Sequence, residues 1–196
     1  PYTSQGALGV DYNAPPLHLA LDLYTSRIED KIVAIPMKCQ FRWSMVNFGL
    51  VRSLGISTTA GYDRTWGKLA LSANANYTCQ RDRDFSSPSD PEYKNTIPYS
   101  PLHSASIIVS LGYDGWSACT SWLYTGDRFA LISNNKEDML GAWQTVDLKL
   151  SKTFTVSRHS LQTTIECNNL TDSRHEVVKR YPMPGRNWKL TLQWRM

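Results

Sequence analysis

CNNLTDSRHEVVKRYPMPGRNWKLTLQWRM, residues 167–196, decides how the rest of the chain is read. In its last ten residues Trp188, Leu190, Leu192, Trp194 and Met196 fall at every second position. Asn187, Lys189, Thr191, Gln193 and Arg195 fall between them. Successive side chains of a strand point to opposite faces, so this alternation is a β-strand with one apolar and one polar face. Tryptophan near each end of the apolar face is the placement that sets aromatic rings at both edges of a bilayer. A half-buried strand of a soluble β-sandwich binding module would alternate too, and the remaining segments separate the two.

Eight further segments alternate. Residues 5–13 carry Leu8, Val10 and Tyr12 on one face, and residues 17–25 carry Leu17, Leu19, Leu21 and Leu23. Residues 51–62 show Ile56, Thr58, Ala60 and Tyr62. Residues 68–78 set Leu69, Leu71, Ala73, Ala75 and Tyr77 against Ala70, Ser72, Asn74 and Asn76. Residues 103–113, 116–125, 145–156 and 160–169 complete the set. Lengths near ten residues suit strands that cross a bilayer at a tilt.

The connections alternate as well. Short turns are expected at 13–16, 63–67, 114–115 and 157–159. Asp114-Gly115 between Tyr113 and Trp116 is a strong two-residue hairpin signal. Long links are expected at 26–50, 79–102, 126–144 and 170–186. This rhythm gathers the long loops at one end of a sheet, as in outer-membrane barrels. On the apolar faces Tyr12, Tyr62, Tyr113, Trp116 and Trp194 fall at the short-turn end. Tyr77, Trp122, Tyr124 and Trp188 fall toward the long-loop end. Two aromatic belts around an aliphatic band predict an all-β fold, a transmembrane antiparallel barrel. Nine strands with open edges leave backbone groups unpaired in lipid, so further strands are expected ahead of Pro1.

Composition narrows the function classes. The formal net charge is +4, yet Lys and Arg are scattered, which disfavours nucleic acid as a partner. The four cysteines form no CxxC and no zinc-like spacing, and no metal site or cofactor is expected. Cys39 and Cys79 fall beside neighbouring long links, where a disulfide is one arrangement that an oxidising compartment permits. Cys119 is expected on the polar face and Cys167 on the apolar face.

The residues also carry a resemblance. Asn168-Asn169-Leu170-Thr171-Asp172, followed by Pro184-Gly185-Arg186-Asn187-Trp188 and an alternating end, is similar to the C-terminal signature of TonB-dependent outer-membrane receptors. Ile97-Pro98-Tyr99-Ser100-Pro101-Leu102-His103 resembles a stretch that opens a strand in that family. Arg27 to Ile32 and Asn47-Phe48-Gly49 resemble two softer patterns. The resemblance spans nearly the whole chain. It departs at His175-Glu176, where Tyr-Glu is common, and at Met196, where the family usually has Phe.

The resemblance implies the C-terminal nine strands of a twenty-two-stranded barrel around an N-terminal plug. It also implies active uptake of a scarce bulky nutrient such as an iron–siderophore chelate, haem or cobalamin. The implied partners are the TonB complex acting through the plug, outer-membrane lipid and lipopolysaccharide, the barrel assembly machinery, the nutrient ligand and a surface lipoprotein. The rival reading is a passive porin or an adhesin-like barrel.

No catalytic constellation stands out, and no enzyme is expected. Selectivity is expected in the long links, where Phe41, Arg42, Trp43, Arg81, Arg83, Tyr93, Phe129, Asn134 and Asn135 combine aromatic and polar character. The polar face, toward the lumen and plug, is expected to present Asp22, Asn74, Asn76, Asp147, Lys149, Gln162, Glu166, Lys189, Gln193 and Arg195. Asp147 and Glu166 are read as charge-pairing groups rather than acid–base machinery. In the final link, Gly185 is expected to allow a sharp entry into the last strand, and Ser173 to lie free.

Overall fold

The computed structural model describes residues 2–36, 43–156 and 159–195. The strands are β1 (Tyr2–Ala14), β2 (Leu17–Pro36), β3 (Trp43–Trp66), β4 (Leu69–Asp84), β5 (His103–Tyr113) and β6 (Trp116–Thr125), then β7 (Arg128–Phe129) and β8 (Met139–Leu140). After these come β9 (Trp143–Val156), β10 (His159–Asn168), β11 (Glu176–Val178), β12 (Tyr181–Pro182) and β13 (Asn187–Arg195). Nine of them form one sheet in the order β1-β2-β3-β4-β5-β6-β9-β10-β13. Every neighbour pair in it is antiparallel. The pairs β7–β8 and β11–β12 are small ribbons inside the long links.

From β4 to β13 the register carries the alternation from strand to strand without inversion. One rung runs Leu71, Leu111, Ala118, Leu150, Ile165, Leu190 through six strands. The neighbouring rung, on the other face, runs Ser72, Ser110, Cys119, Lys149, Glu166, Lys189. A slip of one residue anywhere would interleave the two sets, so the hydrophobic pattern and the ladder enforce each other. The apolar face is bare: Leu8 is 70% exposed and Leu190 64%. Water-soluble monomers seldom expose apolar patches beyond a few hundred Å². An apolar face nine strands wide is built to meet lipid.

The turns follow local chemistry. Asp114 and Gly115 have φ of 46° and 78°, the two positive values that a type I′ hairpin turn requires. The β3–β4 turn is shorter than 63–67. Strand β3 runs on to Trp66, opposite Leu69, and only Gly67 (φ 57°) and Lys68 make the turn.

Three long strands depart from the expected lengths. Much of the expected link 26–50 is ladder, because β2 and β3 stay paired from Leu17↔Tyr62 to Pro36↔Trp43. Strand β4 likewise continues to Asp84. The alternation is interrupted inside the β2–β3 ladder. On β3 the enclosed positions are Val46 and Phe48, then Val51, Ser53 and Gly55. On β2 they are Ile28, then Val33 and Ile35. The switch falls where Asp30, with φ 54°, and Gly49 are missing from the pairing. A residue in the left-handed region breaks the pleat, so the inward face changes parity. Around it, on both sides of the switch, Phe48, Val51 and Ile97 form a small core, with Ile28, Val33, Val46 and Ile132 against it.

Candidate functional site at the long-loop end

The polar face continues up β4 as Gln80, Asp82 and Asp84, in step with Asn74, Asn76 and Thr78. Tyr24, Gly55 and Gln80 share one rung. The Tyr24 ring lies across Gly55 and leaves no room there for a β-carbon. The Tyr24 hydroxyl donates to Gln80 Oε1 at 2.8 Å. Gln80 Nε2 donates to Asp82 Oδ2 at 3.0 Å, and Ser100 Oγ donates to the same oxygen at 2.6 Å. Asp82 is buried, and its carboxylate is shared between strand and loop. The signal for Gln80 and Asp82 was the continued alternation past Thr78. Nothing local marks Ser100, which arrives through the fold.

Three long links lock together over this end. Asn134 Oδ1 accepts the N–H of Thr96 at 2.7 Å, and its Nδ2 donates to the Thr96 carbonyl at 3.0 Å. Asn95 Nδ2 donates to the Ile132 carbonyl at 2.9 Å. The buried Arg128 donates through Nη2 to the carbonyls of Glu176 and Val177, at 2.7 and 3.0 Å. Burial lowers its affinity for its proton, against the opposing pull of Tyr99 and Asp127. Trp143 stacks on His175 at 4.3 Å. A cavity of about 290 Å³ opens here, lined among others by Arg81, Arg83, Ser100, Asp127, Arg128 and Phe129.

The expected ligand residues fall in different places. Phe41 and Arg42 lie outside the described residues, as does Cys39, while Cys79 carries a free thiol. Trp43 opens β3 opposite Pro36. Arg81 and Arg83 are strand residues of β4, not loop residues, and they share the face of Leu71 and Tyr77. Tyr93 packs edge-on against Phe85. Phe129 lies in β7, with its carbonyl accepting the N–H of Tyr99 at 2.8 Å. The Asn134 amide is taken up by the loop bonds above, and Asn135 precedes a short 3-10 turn. Sequence reasoning passed over Tyr24, Gln80, Ser100 and Arg128 as site residues.

The residues expected on the polar face share that face by register. Glu166 pairs laterally with Lys149 and Lys189, each at 3.3 Å. Its charge partners are thus within the wall. Asp147 is used differently: Oδ1 accepts the Asn169 N–H at 2.7 Å. Gln162 faces Gln193, and Arg195 faces Ser160.

The link before β13 is a knot of short bonds. Buried Asn169 (φ 52°) donates through Nδ2 to the carbonyls of Ser173 and Pro184 at 3.0 and 3.2 Å. Its Oδ1 accepts the Ser173 N–H at 2.9 Å. Ser173 is therefore held at both backbone groups and is not free. Gly185 has no left-handed φ; it is confined by a close approach of Asp172. Among the described residues no three His, Cys, Asp or Glu side chains gather as a metal site.

The family model described as TonB dependent receptor-like, beta-barrel matches residues 1–170. The ferric citrate transporter FecA in its unliganded form superposes with a TM-score of 0.76 at 16% identity, over 98% of this chain and 30% of that one. BauA, the ferric preacinetobactin receptor of Acinetobacter baumannii, gives 0.75 at 14%, over 98% and 29%. The copper transporter OprC gives 0.68 at 17%, over 98% and 30%. The chain thus spans under a third of the length of these structures. No curated protein matches it by sequence.

Proposed function

Because this chain belongs to the TonB-dependent receptor β-barrel family, we propose that it forms the last nine strands of a twenty-two-stranded outer-membrane barrel. The whole protein then takes up a scarce bulky nutrient, an iron–siderophore chelate, haem or cobalamin. The observation that carries this reading is the family match over residues 1–170, on a sheet with one lipid-ready face and one polar face. Ferric-chelate and copper transporters among the similar folds favour a metal-bearing cargo. In this reading the Lys149–Glu166–Lys189 ladder lines the lumen beside a plug domain on which TonB pulls. The polar end around Tyr24, Gln80 and Ser100 meets the ligand, with Trp43, Tyr93, Phe129 and Asn135 from the links.

The test is growth of a deletion strain of the source bacterium on single iron or cobalamin sources. Loss of growth on one source, restored by the full-length gene, is the expected result. Undiminished growth on every source overturns the uptake reading.

A further inference from the structure

The link between β4 and β5 turns back along the upper end of β4. The Asp84 N–H donates to the Asn95 carbonyl at 2.9 Å, Thr96 bridges Arg83, and the Ile97 N–H donates to the Asp82 carbonyl at 3.1 Å. The next backbone bond between the two runs from the Gln80 N–H to the Leu102 carbonyl, at 2.9 Å. The link covers Ile97 to Leu102 while β4 covers only Asp82 to Gln80, so the link arches off the strand. Tyr99, within the arch, has φ 60°. Strand β7 closes on it, where the Tyr99 N–H meets the Phe129 carbonyl. The cavity of about 290 Å³ is lined from all three: β4, the arch and β7.

Its charges are unbalanced. Arg81 and Arg83 come from β4, and Arg128 from β7. Asp127 is the acid in the lining, and its Oδ1 already accepts the Ala142 N–H at 2.5 Å. Asp82 and Asp84 lie on the opposite face of β4 and are bonded to Gln80, Ser100 and Ser86. Arg81 and Arg83 form no ion pair among the described residues. One carboxylate against three guanidinium groups leaves an excess of two positive charges.

Arg128 marks what is missing. Its side chain is 4% exposed, Nη2 is held by two carbonyls, and Nη1 is buried with no acceptor among the described residues. The Tyr99 hydroxyl, within electrostatic reach of Arg128, is buried and donates to nothing among the described residues. Buried donors are nearly always paired, because an unmade bond forfeits the hydration lost on burial. Both orphans are donors, so the missing group is an acceptor.

Guanidinium forks bind carboxylate and phosphate oxygens alike. Direction separates the two. A carboxylate offers two oxygens in one plane, whereas a tetrahedral oxyanion offers four, aimed apart. Here the polar groups arrive from three walls: Arg81 and Arg83 from the strand, Thr96 from the arch and Arg128 from β7. The volume holds several waters, at about 30 Å³ each, and falls just short of pockets for drug-sized ligands, which start near roughly 300 Å³. That suits a small ion with its waters, or a small ester.

We propose that this cavity binds a tetrahedral dianion of the phosphate class, free phosphate or a small phosphomonoester, with Arg128 Nη1 at its floor and Arg81 and Arg83 at its mouth. The bound ion joins β4 to the two links above it and braces the loop end. Occupancy needs the folded links and not the plug or the carried nutrient.

The test uses the full-length receptor refolded into detergent, free of phosphate and of cell-envelope lipid. Equilibrium dialysis against radiolabelled inorganic phosphate counts the ion bound per receptor, and saturable binding is expected. Arg81→Gln with Arg83→Gln should weaken it roughly tenfold, since charge-assisted bonds are lost, and the two Arg→Lys changes should weaken it less. Arg128→Gln should weaken it about as much. Heat-modifiable gel mobility reports whether that variant folds, and where it does not, the Arg81 and Arg83 pair decides. Arg64→Gln, at the short-turn end, should leave binding unchanged. Sulfate should displace the label, while chloride and acetate at equal ionic strength should not. Displacement by glycerol phosphate assigns the site to phosphomonoesters, and resistance to it assigns the free ion. No saturable binding by the folded receptor, undiminished binding by the glutamine pair, an equal loss in the Arg64 variant, or displacement by acetate overturns the proposal. A receptor that binds no phosphate yet restores growth on its nutrient sinks only this inference.

Discussion

One carboxylate oxygen of Asp172 accepts the backbone N–H of Arg186 at 2.8 Å, and it stands 2.7 Å from where a β-carbon on Gly185 would be. The two residues are mutually dependent: the bond that starts the last strand exists only because residue 185 has no side chain. Gly185→Ala should push the carboxylate aside and cost about 1 kcal/mol. Asn169→Ala should cost more, roughly 2–3 kcal/mol, since it removes the buried amide that holds two carbonyls and the Ser173 N–H at once. Urea titration of heat-modifiable mobility of the full-length protein checks the order. Equal stability of the two variants would remove this knot as the anchor of β13.

Tyr24 and Gly55 are coupled in the same sense on the polar face. Tyr24→Phe loses one hydrogen bond to Gln80, about 1 kcal/mol. Gly55→Val should cost more, because its side chain meets the ring. Adding Tyr24→Ala should recover part of that loss, a coupling on the order of 1–3 kcal/mol in a double-mutant cycle. Strict additivity would mean that the ring does not rest on Gly55.

Leu71 and Ser72 are neighbours in sequence on opposite faces. Leu71→Arg places a charge in mid-bilayer and should cost about 2–4 kcal/mol, while Ser72→Arg should be tolerated better. A refolding assay in lipid vesicles reads the difference, and equal damage would count against the bilayer assignment.

Orientation can be read with trypsin on whole cells. The long links are external in the barrel reading, so cleavage after Lys94 is expected and cleavage after Lys68, in the β3–β4 turn, is not. Cutting at Lys68 with Lys94 spared would reverse the topology.

Glu92 lies in the link between β4 and β5. Burial raises its pKa, and Asp90 and then Asp84 add to the rise. A carboxyl group whose folded pKa is raised binds its proton more tightly folded than unfolded. Its contribution is present at low pH and lost as pH climbs through the folded value. Hydrogen exchange of residues 85–95 should therefore quicken as pH rises past the carboxylate range, after correction for intrinsic rates. Glu92→Gln should flatten the response; a variant that keeps the full pH dependence would shift the cause elsewhere.

The sheet was legible in the sequence because a strand reports its faces at every second residue. Asn187–Arg195, Trp116–Thr125 and His103–Tyr113 could be bounded from alternation alone, and Asp114-Gly115 named its own turn. The order of strands followed from the loop rhythm. What alternation could not carry was its own interruption. At Asp30 and Gly49 the parity changes on both strands at once, so a paired ladder read as a loop. Only the tertiary structure decided that Ser100 would reach Asp82 and that Arg128 would be buried under Glu176. It also decided that Arg81 and Arg83 would share a cavity with Arg128. Those meetings depend on register between segments far apart in the chain, and register is a property of the assembled sheet rather than of any one strand.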